Sequence, residues 1–522
     1  MLAAATCDPS HPKPTVWTGP GVPRFSARRV REDRHITGVV LPRAERVCDR
    51  LAISYVTPEG GRCVIGGEDT NPQTKRRASQ MRTEHTRTDA AIVGGGMAGL
   101  TVACYLARAG VDVTVFEKAP ELGGRAATQN VDGFRFNRGG HALYTGGAAS
   151  RVLEELGVSY EYGVPKDTFV LQEGKLSPFP ANSIGLLRTD LLDAGDKLAL
   201  FRLFVALGTA KPNVLAKTSV QEWLDLKIRR PRLRRLMTAI ARTFVYTTAL
   251  DLVSAELFVE KLQRSLKYPV HYIDGGWRVL VDGLRVVAER AEARIISGAH
   301  VESVELGGGR ARGVRLRDGS LVRASAVVLA TGARDAARLV DGADYSELRR
   351  VVTDLVPVSI ACLDVALSHL PVPERPVVQD LDGPRFMSAQ SVYTRVAPEG
   401  AALVIAFKQL DPRHPGEPRE DERDLEDLLD ATQPGWRDAL VKRQYLPRIE
   451  AAGALPTAKE GGFAGRPGSQ VSGVANLYLA GDWVGPEGFL VDASMASARK
   501  AAQMVSQYVP SSQGKAVTGS VR

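Results

Sequence analysis

No apolar run in this chain approaches the roughly 20 residues that a membrane-spanning helix requires. Cysteine is scarce, with five in 522 residues, and Cys7, Cys48 and Cys63 fall within the first 80. The other two, Cys104 and Cys362, lie in apolar surroundings without a partner at motif spacing. Both read as buried thiols, which suits a reducing compartment. The eight histidines are scattered without ligand pairs, so no metal site is expected. Positive charge is not concentrated on the body of the protein. Of the formal +9, +5 comes from the first 80 residues, where 13 Lys/Arg face 8 Asp/Glu, and the other 442 residues carry +4. No nucleic-acid partner is expected.

Those first 80 residues also lack sustained periodicity. No apolar stretch follows their positive start, as a secretory signal would need. Glu32, Asp33, Glu45 and Asp49 interrupt any transit-peptide pattern. Residues 1–85 therefore read as a disordered or spurious extension, with Met81 the expected natural start and no catalytic residue before it. Residues 511–522 read as a flexible tail.

What the chain does have is "DAAIVGGGMAGLTVACYLARAGVDVTVFEK", residues 89–118. A short apolar run reads as a buried parallel strand, and Gly94, Gly96 and Gly99 follow at dinucleotide spacing. Gly94 permits a tight turn, Gly96 lets backbone approach a pyrophosphate, and Gly99 lets helix pack on strand. The next segment, opening with Met97 and Ala98, has helical periodicity up to Gly110. A second β-branched run then ends at Glu117 and Lys118. Glu117 lies about 20 residues beyond the first glycine, where a carboxylate can take ribose hydroxyls.

"ELGGRAAT" at 121–128 and "GFRFNRGGHALY" at 133–144 come next. With these the chain resembles the FAD-dependent superfamily of flavin amine oxidases, phytoene desaturases and protoporphyrinogen oxidases. The resemblance implies FAD as cofactor. It sets Gly124 and Arg125 near the pyrophosphate, and Arg138, Gly139, Gly140 and His141 near the isoalloxazine ring. It also implies the fold: α/β, a discontinuous Rossmann-type FAD-binding domain (86–165, 272–345 and 455–510) with an inserted α+β substrate domain (166–271 and 346–454).

Along the insert, "FVLQEGKLSPFP" reads as a hairpin closed by Gly174, and three helical stretches follow at 196–210, 218–228 and 232–248. The first is nearly all apolar. It reads either as a core helix, which we favour, or as a membrane-surface or substrate entrance. Ser219 and Glu222 have capping-box spacing at the head of the second. A helix at 277–290, a strand at 301–304 and a buried strand ending at Gly332 then return to the first domain. Val301 is the family's adenine contact, and Gly332 ends the strand beneath the cofactor. Strands are expected in "VPVSIACLDVAL" and "GAALVIAFKQL", and an exposed helix after "HPGEPRED". The C-terminal "NLYLAGDWVGPEGFLVDASMASARKAAQMV" matches the family again, so that Gly481 and Asp482 approach the ribityl and pyrophosphate region. Leu490, Val491, Asp492 and Ala493 would then head a helix pointing at the flavin, where helix-terminal N–H groups favour negative charge.

Function follows from the cofactor: hydride transfer from a small hydrophobic organic substrate, with the electron acceptor, O2 or a quinone among others, left open. His141 is the candidate acid–base residue, or a histidine simply bonded beneath the ring. Tyr144, Tyr272 and Trp483 are cavity-wall candidates. Gly481-Asp482 and "GKL-P-P" point to a dehydrogenase or desaturase of an apolar or conjugated compound. Alternatives are an amine oxidase, whose lysine the sequence does not place, a redox-neutral isomerase, or a prenyl-protein carrier resembling Rab GDP-dissociation inhibitors. The protein is expected in the cytoplasm, with a peripheral membrane contact and the oligomeric state left open.

Overall fold

The computed structural model describes residues 87–180, 185–186, 189–340 and 346–509. The expectations for 1–85 and 511–522 lie outside the described residues. Five strands of the first sheet run parallel, in the order Arg294–Ser297, Val113–Glu117, Arg87–Val93, Leu321–Leu329 and Leu477–Leu479. Val301–Leu306 and Ala311–Leu316 extend it as an antiparallel meander against the start of Leu321–Leu329. The chain passes outward from Arg87–Val93 in one direction and from Leu321–Leu329 in the other. The crevice for a ligand in such a sheet opens at the carboxyl ends of the strands flanking this switch point.

One face of the sheet is covered by the helices Met97–Arg108, Ala148–Glu155, Arg278–Arg290 and Val491–Tyr508. Small side chains set the close approach: Ala98, Ala103 and Ala107 on the first helix, and Ala498, Ala501 and Ala502 on the last, are all buried. Cys104 packs here, its thiol 3.2 Å from the Leu284 carbonyl, and burial pushes that thiol up to about 12. It is an inert core residue.

A second seven-stranded sheet holds Leu440–Ala452, Val358–Leu367, Ala402–Gln409, Arg385–Ala389, Val377–Asp380, Thr168–Gln172 and Lys175–Pro178, in that order. Its hairpin at 168–178 turns through Gly174, at φ +74°. Four helices pack on one side, Ala194–Thr209, Val220–Lys227, Pro231–Val245 and Ala255–Ser265. The predicted capping box is present: Ser219 Oγ accepts from Glu222 N at 3.1 Å, and Glu222 Oε2 accepts from Ser219 N at 2.7 Å.

Three expectations need correction. The buried strand stops at Leu329, and Gly332 instead caps the helix Ala333–Leu339. The acidic helix, Pro418–Thr432, is not exposed all round. Leu425, Leu428 and Leu429 are buried at helical spacing, and Asp421 is buried because it accepts ion pairs from Lys408 and Arg448. The apolar helix Ala194–Thr209 is only half core: Leu200, Leu203 and Leu207 are buried, whereas Leu198, Phe201 and Val205 are half or more exposed. Helix Ala255–Ser265 was not anticipated at all. Its cap is Ser254, which accepts from Glu256 N at 3.2 Å.

The two faces of Ala194–Thr209 should respond differently to truncation. Leu207→Ala should cost about 2–5 kcal/mol in denaturant unfolding, whereas Phe201→Ser should change stability by no more than about 0.5 kcal/mol. Equal costs would contradict the observed orientation of the helix.

Candidate active site

The glycine loop forms because only bare backbone fits there. Gly94 has φ +111°, and a β-carbon would lie 2.5 Å from Ala330 O; on Gly99 one would lie 1.9 Å from Gly94 O. On Gly96 it would meet only Gly123 O, at 3.7 Å, so that position faces open space. The loop is braced from outside by the predicted "LGGR" turn, Gly123 N donating to Gly95 O at 2.9 Å. Glu117 ends the second strand, buried, its two oxygens accepting from Gly95 N (2.7 Å) and Ala119 N (2.8 Å). Each oxygen keeps a lone pair with which to accept a ribose hydroxyl.

Asp482 lies just past the carboxyl end of Leu477–Leu479 and is 1 % exposed. Arg125 binds it in a bidentate fork, Nη1 to Oδ2 at 2.8 Å and Nη2 to Oδ1 at 2.6 Å, and Gly453 N donates to Oδ2 at 2.7 Å. Burial alone would raise this carboxyl, but Arg125, the Gly453 N–H and Arg466 together hold it below the ordinary range. Arg466, also buried, donates to the carbonyls of Asp482 (3.1 Å) and Gly488 (2.8 Å), fixing the chain on both sides of the turn after the strand. Sequence inspection had not singled out Arg466.

Residues 138–141, expected beside the flavin ring, follow the hairpin of Thr128–Val131 and Phe134–Asn137. Gly139, at φ +89°, is pressed against Ile449, and Gly140 against Phe407, both in the second sheet. His141 Nδ1 lies 2.9 Å from Gly139 O and Nε2 3.1 Å from Arg125 O, and its own carbonyl accepts from Gln390 at 3.0 Å. Burial lowers its pKa. A neutral imidazole donates through one nitrogen only, yet both nitrogens face carbonyls. The ring is therefore held between the "LGGR" turn and residue 139 by one hydrogen bond, with both nitrogens turned to backbone carbonyls. Arg138 is exposed. Behind the segment, Cys362 Sγ lies 3.1 Å from Asp364 Oδ1, and burial raises that carboxyl to about 7.

At the head of Val491–Tyr508, Leu490 holds φ +57°, rare for a branched side chain, and turns the chain into the helix. The Asp492 side chain does not extend from the helix end. It accepts from Ala149 N (2.8 Å), at the start of Ala148–Glu155, and from Arg264 Nη1 (2.7 Å). Val491 and Ala493 present backbone at that end. Between this helix and the second sheet lies a buried aromatic cluster. Tyr144 and Tyr246 share a hydroxyl–hydroxyl hydrogen bond at 3.0 Å, Ser388 donates to Tyr272 at 3.0 Å, and Tyr246 stacks on Phe407 with ring centres 5.8 Å apart. Lys261 stands among them, 4.0 Å from the centre of the Tyr144 ring and 5.3 Å from that of Phe489. Trp483, by contrast, packs in the first domain's core and donates to Thr331 O at 2.9 Å.

Gly94, Glu117, Gly332 and Asp482 thus sit at the carboxyl ends of four adjacent parallel strands, with Gly124 and Arg125 beside them. A β-carbon on Gly332 would meet nothing within 4 Å. Val301 starts its strand beside this edge, where Ala299 N donates to Glu117 O at 2.9 Å. Lys118 is exposed and pairs with Asp335 on the helix after Gly332, at 3.1 Å. A groove floored by bare glycine backbone, with a carboxylate at one end and helix N–H groups at the other, fits a dinucleotide.

The family profile described as flavin containing amine oxidoreductase matches residues 97–506. The chain belongs to this family: it is a flavoenzyme, an oxidoreductase whose cofactor is FAD. Among its relatives, the carotenoid 3,4-desaturase of Haloarcula japonica is 59% identical over 51 residues, 10% of either chain. The phytoene desaturase of Neurospora crassa is 27% identical over 281 residues, 46% of this chain and 47% of that one. The chain thus spans about half or less of these relatives. Among solved structures, an oxidoreductase from Methanosarcina mazei superposes with a TM-score of 0.67 at 20% identity, covering 80% of this chain and all of that one. Cyclohexylamine oxidase from Brevibacterium oxydans gives 0.61 at 18%, covering 80% and 99%. At such identities these structures show the fold. Among the described residues no helix is long and apolar enough to cross a membrane, and no His/Cys/Asp/Glu group could hold a metal.

Asp482→Asn should loosen both the cradle and its cofactor. The folded carboxyl lies below its unfolded value of about 4, so its contribution is complete above that pH and fades as pH falls through the folded value. The variant should lose about 2 kcal/mol at pH 7, retain less FAD after gel filtration, and show a flatter acid limb in its stability profile. Wild-type FAD content in the variant would contradict the assignment.

Proposed function

We propose that the chain dehydrogenates an apolar or conjugated organic compound. The observation that carries this reading is the aromatic cluster between the head of the last helix and the second sheet. Its tyrosine hydroxyls are bonded to one another and to Ser388, so apart from the Lys261 ammonium it offers ring faces. The nearby carboxylates Asp492 and Glu260 are both paired with Arg264. A polyene or similar body finds apolar contact there without displacing hydrogen bonds. The likeness to segments of carotenoid and phytoene desaturases supports the same reading.

Bound FAD would supply the acceptor for a substrate hydride. In this reading Glu117 accepts the ribose hydroxyls, and the bare backbone at Gly94, Gly96 and Gly332 lines the pyrophosphate. Arg125 and Asp482 fix the turn beside it, and the backbone at 490–493 offers N–H groups to the ring edge that becomes negative. His141 holds the segment from Arg138 to Gly140 in place. The second sheet and its helices exclude water from the ring's substrate side, and the exposed stripe of Leu198, Phe201 and Val205 is where a substrate dissolved in membrane would be met. A second reading, amine oxidation, draws on the same cluster, because its rings already hold the Lys261 ammonium. It requires Lys261 to be neutral when a substrate cation enters.

The discriminating experiment is anaerobic mixing of the FAD-loaded enzyme with candidate substrates while the flavin absorbance is followed. Bleaching by a conjugated hydrocarbon is expected. Bleaching by amines alone would replace the proposal with the second reading, and isomerised product without bleaching would replace it with redox-neutral chemistry.

A further inference from the structure

Lys261 lies on the buried face of Ala255–Ser265, four residues after Leu257 and three after Phe258, and is 3 % exposed. Its ammonium has one hydrogen-bond acceptor, the Phe244 carbonyl at 2.8 Å, near the end of Pro231–Val245. Its other surroundings are the rings of Tyr144, Tyr246, Phe489 and Phe244. Among the described residues it forms no ion pair. Arg264, one turn further on, binds Asp492 at 2.7 Å and lies 3.5 Å from Glu260. Both chain segments expected to border the flavin lead directly to this lysine: Tyr144 comes three residues after His141, and Phe489 immediately precedes Leu490.

We propose that Lys261 is the base that removes the substrate proton, on a carbon adjacent to the one that gives up hydride; this rests on the dehydrogenase reading. Desaturation removes two hydrogens as unlike species. Bound FAD would supply the hydride acceptor for one carbon, and the neighbouring carbon loses its proton to the Lys261 Nζ lone pair. The electrons of that C–H bond become the new π bond, and the amine becomes an ammonium. Four other candidates around the cluster, His141, Asp492, Tyr144 and Tyr246, are committed. The ring nitrogens of His141 face two carbonyls, and the Asp492 oxygens hold Ala149 N and Arg264. The hydroxyls of Tyr144 and Tyr246 are kept protonated by burial. Glu260, on the same helix, has one buried oxygen without a hydrogen-bond partner, and its other oxygen is turned to Arg264.

The titration of Lys261 suits the role. Burial, helped by the Arg264 charge, lowers it to about 7 against the pull of Glu260 and Asp492, so free amine is present at neutral pH. The bond to Phe244 O uses one N–H in either state and orients the lone pair away from that carbonyl. The product ammonium is received by the Tyr144 ring face.

The test combines rapid anaerobic flavin bleaching across pH with a direct titration of the lysine in full-length holoenzyme carrying 13Cε-lysine. Wild-type bleaching should rise with pH to a plateau above about 7. Lys261→Met should slow it by about 100-fold or more at unchanged FAD content. Lys261→Arg, permanently charged, should lose the rise with pH, and Glu260→Gln should move the break to lower pH. The 13Cε signal absent from Lys261→Met should titrate near 7 in wild type. A signal titrating above 9, or a pH break that persists in Lys261→Met, would overturn the proposal. A Lys261→Met protein that fails to fold, while Lys261→Arg keeps the wild-type pH profile, would assign the lysine to holding the Phe244 helix end and overturn it too. Failure of every conjugated hydrocarbon to bleach wild-type flavin would sink the dehydrogenase reading and the base with it. Equally fast bleaching in Lys261→Met would sink the base alone.

Discussion

The fork between Arg125 and Asp482 is the constraint on which the cradle depends. A carboxylate almost wholly withdrawn from water at the end of a parallel strand is costly unless its oxygens are satisfied. Here both are, by a guanidinium from 357 residues earlier in the chain and by the Gly453 N–H. The fork therefore fixes the "LGGR" turn against the last strand. That turn in turn braces the glycine loop through Gly95 and Gly123 and anchors His141 through the Arg125 carbonyl. Residues 95, 123–125 and 141 are thereby held in one geometry with Gly453 and Asp482, from the far end of the chain.

A second ion pair does the same at the head of the last helix. Asp492 at the head of the last helix joins Arg264 of the inserted helical block and the first turn of Ala148–Glu155. Lys261 projects from the same block one turn earlier, among the aromatic rings. On the dehydrogenase proposal the two carboxylates serve different partners: Asp482 organises the dinucleotide end, and Asp492 joins the flavin end to the cluster where we place the substrate.

The parts legible in the sequence are those with a local cause. Gly94 and Gly99 are recognisable because any side chain would collide with backbone, and Ser219 and Glu222 because a capping box spans only three residues. The alternating strands of the second sheet were readable for the same reason. The parts that were not legible are partnerships at long range. Arg264 and Asp492 are 228 residues apart, and nothing in either neighbourhood names the other. Periodicity reports which face of a helix is buried, and this could have flagged Lys261 beside Leu257 and Phe258, but it does not say what surrounds that face. The same limit explains the apolar helix Ala194–Thr209, where composition alone could not separate Leu207, inside, from Phe201, outside.

A crystal structure of the FAD-loaded enzyme with a bound conjugated substrate analogue would test the account most directly. The expected result is a dinucleotide running from Glu117 past Gly94 and Gly96 to the head of Val491–Tyr508. The flavin ring would lie beside Gly139 and Gly140, with the analogue between the ring and Lys261. A ring lying elsewhere, or an analogue bound away from the Tyr144–Tyr246 cluster, would contradict it.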